Sequence, residues 1–211
     1  MSQALSLFDT MVVVEELPGA AQLNAALRSI ILARQAASQG VKVSNIGGWQ
    51  SDHDMVNWGG DAGTVLLKQI QALADRNSVD IRSPNMPRHR WVPEMWANVS
   101  PPEASNQLHT HPGAYWSAVY YIDDAGGGSG ADLGGELVLE DPRMPMVMMI
   151  MPNLRFRRAD GSVHEPQIAL RPKNGRLIMF PSWLRHGVAP HRGTGPRISV
   201  AVNLMAVPNS A

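Results

Sequence analysis

The sequence contains no cysteine, and this absence excludes two kinds of site. Without thiols the chain forms neither disulfides nor thiolate metal centres, so histidine and the carboxylates are its only strong metal ligands. An excess of charge of either sign is also lacking, because 18 basic residues balance 18 acidic residues. A protein that binds phosphate backbones usually carries a basic excess, so the charge balance disfavours nucleic acid as a partner.

Long apolar runs are absent as well. No stretch of the sequence reaches the roughly 20 consecutive apolar residues that a membrane helix needs, and residues 1–15 lack the basic start of a signal peptide. We therefore expect a soluble cytoplasmic protein with no membrane partner. With 44% apolar and 17% charged residues the chain should be folded, and 211 residues are most simply one domain.

The first 90 residues predict one strand and two helices. Residues 5–14 are rich in β-branched and apolar side chains and predict a strand. Apolar residues recur at helical spacing over 20–37 and again over 62–77, which predicts two amphipathic helices. In the loop 47–54, His53 lies between two aspartates. A metal or acid–base role is open there, but we favour a solvated loop in which Trp49 packs into the core.

From residue 91 onward the sequence predicts a β-domain, over 91–207, backed by the two helices. Glycine and proline separate short apolar segments, and no helical periodicity interrupts them, which is typical of an antiparallel sandwich or barrel. The methionine-rich run 144–151 favours a core strand or a homodimer contact over a pocket wall. The predicted strands are 91–99, 106–111, 115–122, 135–140, 166–171, 175–180, 186–190 and 197–205.

Three histidines are the candidate metal ligands. His109 and His111 are one residue apart in a predicted strand, so their side chains should share a face. Neighbouring imidazoles suit a first-row transition metal. His186 follows the turn at 181–183 and opens the returning strand, so a hairpin delivers it to one end of the barrel. If His109 and His111 lie at the same end of the barrel as His186, three imidazoles meet at one metal.

An arginine lies at the start of the last predicted strand. Arg197 and Ser199 share a face by the same two-residue period. A guanidinium beside a hydroxyl suits a carboxylate, which the planar fork can bind through two hydrogen bonds. The alternative is a surface salt bridge, but an inward-facing arginine on an apolar strand needs an anionic partner.

Together these segments resemble the Fe(II)- and 2-oxoglutarate-dependent oxygenases, and most closely an uncharacterised bacterial group. That group has a His-x-His-Pro segment, a Ser-x-x-Tyr-Tyr strand and a Phe-Pro-Ser-Trp-Leu-x-His segment, found here at 109–112, 117–121 and 180–186. The resemblance covers about 96–204, and the segments 49–51 and 141–143 also look like features of the group. It implies a mainly β fold, the double-stranded β-helix of jelly-roll or cupin-like barrels.

The resemblance also implies roles for individual residues. His109 and His186 match the metal ligands, while Arg197 with Ser199 matches the anchor of the distal carboxylate of 2-oxoglutarate. Tyr121 matches a tyrosine that helps bind this carboxylate, and Asn98 is a candidate for lining the same pocket.

Position 111 departs from the family pattern, which has an aspartate or glutamate where this chain has His111. A catalytic centre of His109, His111 and His186 would carry one additional positive charge, which the dianion 2-oxoglutarate could offset. Alternatively, Glu136 or Asp123 completes the metal site.

The implied enzyme is a non-haem iron dioxygenase that oxidises, most often hydroxylates, a small-molecule or amino-acid-like substrate. It would use Fe(II) as cofactor and 2-oxoglutarate as cosubstrate, releasing succinate and CO2. Two alternatives stay open. His111 suggests a three-histidine cupin-like dioxygenase that uses no 2-oxoglutarate, and a barrel without catalysis could bind a small anion or carbohydrate.

Overall fold

The computed structural model describes residues 7–126 and 132–209, and only the backbone of 145–147. Within these ranges the chain has an N-terminal part that contains most of the helical residues, followed by a largely β C-terminal part. The elements are β1 (Val13–Glu16), α1 (Ala20–Ala37), β2 (Asn45–Ile46), β3 (Trp49–Gln50), α2 (Met55–Trp58), α3 (Gly60–Arg76), β4 (His89–Ser100), β5 (Ser105–His109), β6 (Trp116–Asp123), β7 (Leu137–Glu140), α4 (Met144–Ile150), β8 (Gln167–Leu170), β9 (Arg176–Pro181), β10 (His186–Val188) and β11 (Arg197–Pro208).

The strands form two antiparallel sheets. The larger has six strands in the order β1-β9-β6-β11-β4-β3, and the smaller has five in the order β2-β5-β10-β7-β8. Neighbours in each sheet come from distant parts of the chain, as in the pairing of β6 with both β9 and β11. This arrangement confirms the predicted mainly β, double-stranded β-helix fold.

Helices α1 and α3 cover the outer face of the six-stranded sheet, as the sequence predicted for two backing helices. Leu27 and Ile31 of α1 and Leu66 and Ile70 of α3 are fully buried in one cluster with the sheet. A second, smaller apolar cluster lies on the inner face of the sheet, and it is formed by Tyr121, Leu137, Leu139, Ile178, Phe180 and Leu184.

Strand β11 separates these two environments residue by residue. Its even-numbered residues from Ile198 to Leu204 belong to the cluster beneath the helices. Its odd-numbered residues from Arg197 to Asn203 line a cavity on the opposite face. The alternation follows from the two-residue period of a strand, and it places polar side chains between the two sheets.

Three predictions about the elements were wrong. The first strand occupies Val13–Glu16 rather than 5–14, because only these residues pair with β9; residues 5 and 6 lie outside the described ranges. The second helix begins earlier than residue 62, as α2 followed by α3, with a break at Gly60, whose φ is +60°. The short strands β2 and β3 were not predicted.

The methionine-rich run is the third error, because it forms the helix α4 rather than a core strand. Pro145 lies in its first turn, where the missing proline N–H leaves no hydrogen bond unmade. Met149 is 84% exposed, so this part of the helix does not belong to the core. Arg157 and Arg158 follow on a loop and are exposed. The glycine-rich segment 125–135 predicts a flexible connection between strands; its residues 127–131 lie outside the described ranges.

Among the helices of the described ranges, none combines the length and the apolar character needed to cross a bilayer.

Candidate functional site

Three histidine side chains converge between the two sheets. His109 on β5 is the direct partner of His186 on β10, and their ring centroids are 4.5 Å apart. The His111 ring lies 4.8 Å from that of His109 and 5.0 Å from that of His186. One ring nitrogen from each histidine lies within 4.8 Å of the others. In the described part of the chain this group contains no carboxylate.

His111 reaches the cluster by a route that the sequence did not predict. Strand β5 ends at His109, so the alternation of a strand does not orient His111. Instead, the backbone N–H of His111 donates to the carbonyl of Ser182 at 3.0 Å, and the Ser182 N–H donates to the carbonyl of Tyr115 at 3.1 Å. The loop after β5 is therefore bonded to the turn that precedes His186.

Backbone carbonyls orient two of the three rings. The Nδ1–H of His109 donates to the carbonyl of Gln107 at 2.7 Å, and the Nδ1–H of His186 donates to that of Leu184 at 2.8 Å. A hydrogen bond at one ring nitrogen fixes which nitrogen stays unprotonated. Both rings therefore present Nε2 as a lone-pair donor.

Burial keeps two of the imidazoles neutral. Desolvation lowers the pKa of His111 to about 3, and the neighbouring His186 and His109 lower it further. Desolvation also lowers the pKa of His186 to about 4, although its bond to the Leu184 carbonyl opposes the shift. A neutral imidazole is the form that binds a metal, so near pH 7 these rings need not lose a proton first.

Neither of the carboxylates considered as a replacement for His111 joins the cluster. Asp123 pairs with Arg28 at 3.4 Å. Glu136 does not line the cavity in the described part of the chain. Asp141 does not belong to the cluster either. It accepts two hydrogen bonds from the Arg143 side chain, at 3.0 and 2.8 Å, and one from His164 at 2.7 Å.

A cavity of about 330 Å³ extends from the histidines along the six-stranded sheet. Apart from the alternative carboxylates Glu136 and Asp123, it brings together the residues that the sequence and the resemblance suggested as metal ligands or as cosubstrate-binding residues. These are His109, His111 and His186, with Arg197, Ser199, Tyr121 and Asn98.

Arg197 is a buried cation with no anionic partner among the described residues. The residue is 2% exposed, its Nε has no hydrogen-bond acceptor among the described residues, and its Nη2 donates only to Ser100 Oγ at 3.5 Å. Burial lowers the pKa of the guanidinium, an effect that Tyr121 opposes. A buried unpaired charge is costly, so this arrangement indicates an anionic ligand and not the surface salt bridge that was the alternative.

Tyr121 lies beside Arg197 with its own polar group unpaired. The guanidinium carbon is 5.8 Å from the centre of the phenol ring, and no described residue bonds to the buried hydroxyl. Burial raises the pKa of this hydroxyl, so it remains an O–H donor. Two unpaired donors therefore face the same end of the cavity.

The sequence interpretation missed several residues of the cavity. Gln50, His53, Trp96, Ser117 and Asn203 all line it. His53 is exposed as predicted, yet its ring also stacks on Trp96 at 4.6 Å. Trp49 is half-buried against the core, also as predicted. The two-residue period could have identified Trp96 from Asn98, and Asn203 from Arg197 and Ser199.

These residues fit a transition metal and a small dianion. Three imidazole nitrogens match the ligand preference of iron and similar metals and leave coordination positions open. The Arg197 guanidinium and the Tyr121 hydroxyl, which carry donors without acceptors among the described residues, are suited to bind a carboxylate. The fit does not depend on any residue outside the cavity.

Comparisons with known proteins agree with this chemistry. The family described as "Putative 2OG-Fe(II) oxygenase" matches residues 94–203, which is more than half of the chain. That range begins on β4 and ends on β11, so it includes all three histidines and Arg197. No curated protein sequence matches the chain.

Solved structures share the fold at low sequence identity. A Trichoplax adhaerens prolyl hydroxylase in complex with a hypoxia-inducible factor peptide has a TM-score of 0.63 at 16% identity, covering 92% of this chain and 83% of that one. A Pseudomonas putida prolyl-4-hydroxylase has a TM-score of 0.57 at 20% identity, covering 96% and 94%. HygX from Streptomyces hygroscopicus, with nickel and 2-oxoglutarate bound, has a TM-score of 0.59 at 13% identity, covering 93% and 83%. The family match and the shared fold lead to one conclusion: the chain belongs to the putative 2OG-Fe(II) oxygenase family.

Proposed function

We propose that this protein is a non-haem iron dioxygenase that uses 2-oxoglutarate to oxidise, most often hydroxylate, a small-molecule or amino-acid-like substrate. His109, His111 and His186 hold the iron. The observation that carries the proposal is the buried, unpaired guanidinium of Arg197, which lines the same cavity as the three histidines. When bound, iron and 2-oxoglutarate supply an oxidation by dioxygen in which 2-oxoglutarate becomes succinate and CO2.

The chain's own residues bind 2-oxoglutarate, orient it towards the histidines and exclude water from it. Arg197, the Tyr121 hydroxyl and Ser199 bind the distal carboxylate of 2-oxoglutarate, so the keto acid end faces the histidines. Asn98 is paired with Ser199 across the sheet, and it lines the same part of the cavity. The buried side chains of Phe180 and Leu137 exclude water from this region.

The charges of this arrangement balance better with 2-oxoglutarate than without it. Three neutral imidazoles leave the charge of a divalent metal uncompensated, and Arg197 adds a further positive charge. A dianion in the same cavity offsets most of this. This balance favours a 2-oxoglutarate-dependent enzyme over a three-histidine dioxygenase that uses no cosubstrate, and over a barrel that binds a neutral carbohydrate.

The test measures 2-oxoglutarate binding by anaerobic calorimetry on the metal-loaded protein, and succinate formation in the presence of Fe(II) and dioxygen. We expect binding that requires metal, and succinate that requires both Fe(II) and 2-oxoglutarate. Arg197→Gln should weaken 2-oxoglutarate binding by roughly 100-fold, since losing charge-assisted hydrogen bonds costs about 3 kcal/mol.

Arg76→Gln is the matched control, because Arg76 is an exposed arginine paired with Glu15 far from the cavity. It should bind 2-oxoglutarate as the wild type does. Metal binding without 2-oxoglutarate binding would contradict the proposal and favour the three-histidine dioxygenase. Absence of metal from protein supplied with Fe(II) would favour a binding barrel without catalysis.

A further inference from the structure

The cavity continues beyond the histidines on the side away from Arg197. Along β11, Asn203 lies six residues after Arg197 on the same face, a backbone distance of roughly 20 Å. Trp96 pairs with Ala201 across the sheet, and its ring contacts that of His111 at 5.7 Å. The His111 ring therefore lies near the Trp96–Ala201 pair, and Asn203 is one pair of residues further from Arg197. A five-carbon dicarboxylate anchored at Arg197 does not extend that far.

A buried amide at this end of the cavity has unused donors. Asn203 is 4% exposed and Ser117 is 3% exposed, and the Ser117 hydroxyl donates to Asn203 Oδ1 at 2.9 Å. With Oδ1 engaged, the Nδ2 group of Asn203 is directed to other acceptors. No described residue provides one. This Nδ2 is not one of the fully enclosed polar atoms, so it is accessible from the cavity, where a ligand that accepts a hydrogen bond can reach it.

A second donor lies close to it. Trp96 is 6% exposed and lines the cavity, and no described residue accepts a hydrogen bond from its indole N–H. His53 stacks on the indole at 4.6 Å with an angle of 28° between the rings, and Gln50 contacts the His53 ring at 3.4 Å. These contacts hold the indole in place, so its N–H is a fixed donor.

Neither donor carries a charge. Within the described lining, Arg197 is the one residue with a permanent charge, and it lies at the opposite end. Glu94 faces Asn203 across the sheet, but its side chain is 46% exposed and lies 3.9 Å from His53. A carboxylate placed beside Asn203 would face Glu94 across the sheet, and like charges directly opposite each other repel.

We propose that the primary substrate presents an uncharged carbonyl group, such as that of an amide or ketone, to Asn203 and Trp96. The inference rests on the proposed function and specifies the substrate of the same site. Two neutral donors recognise a carbonyl oxygen, and they hold the carbon atoms beside it near the three histidines. A free carboxylate there would face Glu94, and a free ammonium group offers the two donors no acceptor.

The test uses enzyme loaded with Ni(II) and 2-oxoglutarate, so that no turnover occurs, and ligand-observed NMR. The probes are matched sets built on alanine, leucine and proline. Each set compares an N-acetyl amino acid N-methylamide, which is uncharged, with the N-acetyl amino acid and with the free-amine N-methylamide. We expect the uncharged member of at least one set to bind at least tenfold more tightly than either charged member.

Asn203→Asp keeps the size of the side chain and an acceptor for Ser117, but it removes the unused donors and adds a charge. It should lose at least tenfold in affinity for the uncharged probe and gain affinity for the ammonium probe, with a smaller loss of affinity for 2-oxoglutarate because the new charge repels the dianion. Asn57→Asp is the control, because Asn57 is exposed and bonded to Asp54. It should not change the affinity for any probe.

Three results would overturn the inference. The first is that the wild type binds the uncharged member less than tenfold more tightly than a charged member in every set for which binding is seen. The second is an unchanged preference in Asn203→Asp that is correctly folded by circular dichroism. The third is no binding of any probe by protein that binds 2-oxoglutarate, which overturns the inference and leaves the proposed function standing. Failure of the wild type to bind 2-oxoglutarate overturns both.

Discussion

Two adjacent tyrosines on β6 show how one residue step changes the role of a side chain. The Tyr120 hydroxyl donates to Asn24 Oδ1 on α1 at 2.6 Å, beneath the helices. The Tyr121 hydroxyl is buried on the opposite face, and no described residue bonds to it. Strand alternation sends identical side chains to different environments. We therefore expect Tyr120 to contribute to stability and Tyr121 to cosubstrate binding.

Exchanging each tyrosine for phenylalanine tests this division. Tyr121→Phe should lower 2-oxoglutarate affinity about 5- to 10-fold, since one hydrogen bond to a carboxylate is lost, with little change in Tm. Tyr120→Phe should leave that affinity unchanged and lower the free energy of unfolding by about 1 kcal/mol. Calorimetry and thermal melts provide the two measurements. If both variants lowered 2-oxoglutarate affinity, or both lowered only the free energy of unfolding, the two tyrosines would not have the different roles assigned to them.

Residue 111 decides how the metal is held. His111→Ala should weaken metal binding by at least the roughly 10- to 100-fold that loss of a supporting partner costs. His111→Asp should retain the metal, because a carboxylate is also a suitable ligand. Metal titration measures both, and His89→Ala, a half-buried histidine beside Trp91, is the control. Wild-type affinity in His111→Ala would show that His111 is not a ligand.

At the scale of elements, α1 is attached to the six-stranded sheet through buried polar contacts as well as apolar packing. Asn24 accepts from Tyr120 and donates to the Ile122 carbonyl at 3.0 Å. Burial raises the pKa of Tyr120 to about 12. The folded protein therefore keeps a proton that the unfolded chain releases near pH 10.

This difference predicts an alkaline loss of stability. Because the folded pKa is raised, the contribution of Tyr120 is fully present below pH 10 and is lost as the pH rises towards 12, up to roughly 2.7 kcal/mol for two pKa units. Urea unfolding at pH 8, 10 and 11 should show a steeper decline for the wild type than for Tyr120→Phe. Parallel declines would mean that Tyr120 does not titrate differently in the two states.

Elements were predictable where a long local pattern exists. Helix α1 occupies the predicted range 20–37, and the predicted strand 197–205 corresponds to β11, which extends to Pro208. No local pattern predicts β3, whose two residues pair with Asn98 and Val99 of β4. A strand of that length has no period to detect. Its pairing places Gln50, and the loop after it places His53, so both residues were missed at the site.

For the whole molecule, the motifs located the site but not its assembly. Spacing and residue type indicated all three histidines and Arg197, because metal and carboxylate chemistry restrict which side chains can serve. The bond from His111 to Ser182 joins parts of the chain about 70 residues apart. The donors of Asn203 and Trp96 become unpaired only in the folded sheet. Long-range contacts of this kind leave no local signal.

We also expect the N-terminal helices and the β-domain to unfold together, as one domain. Leu27 and Leu66 share a cluster with Val200, and β1 pairs with β9, so neither part is enclosed alone. Thermal unfolding followed by near- and far-ultraviolet circular dichroism should give one coincident transition. Ni(II) with 2-oxoglutarate at 100 times its Kd should add about 2.7 kcal/mol, or roughly 5–11 °C. Two separate transitions would contradict a single domain.

The odd and even residues of β11 have a consequence for engineering. Mutations confined to Ala201 and to the neighbouring Val119 on β6 alter the cavity wall while leaving the helix-facing residues untouched. A directed-evolution library restricted to these positions should therefore sample new substrate preferences at nearly constant melting temperature. The same number of changes at Val200 and Val202 should yield mainly misfolded, inactive clones.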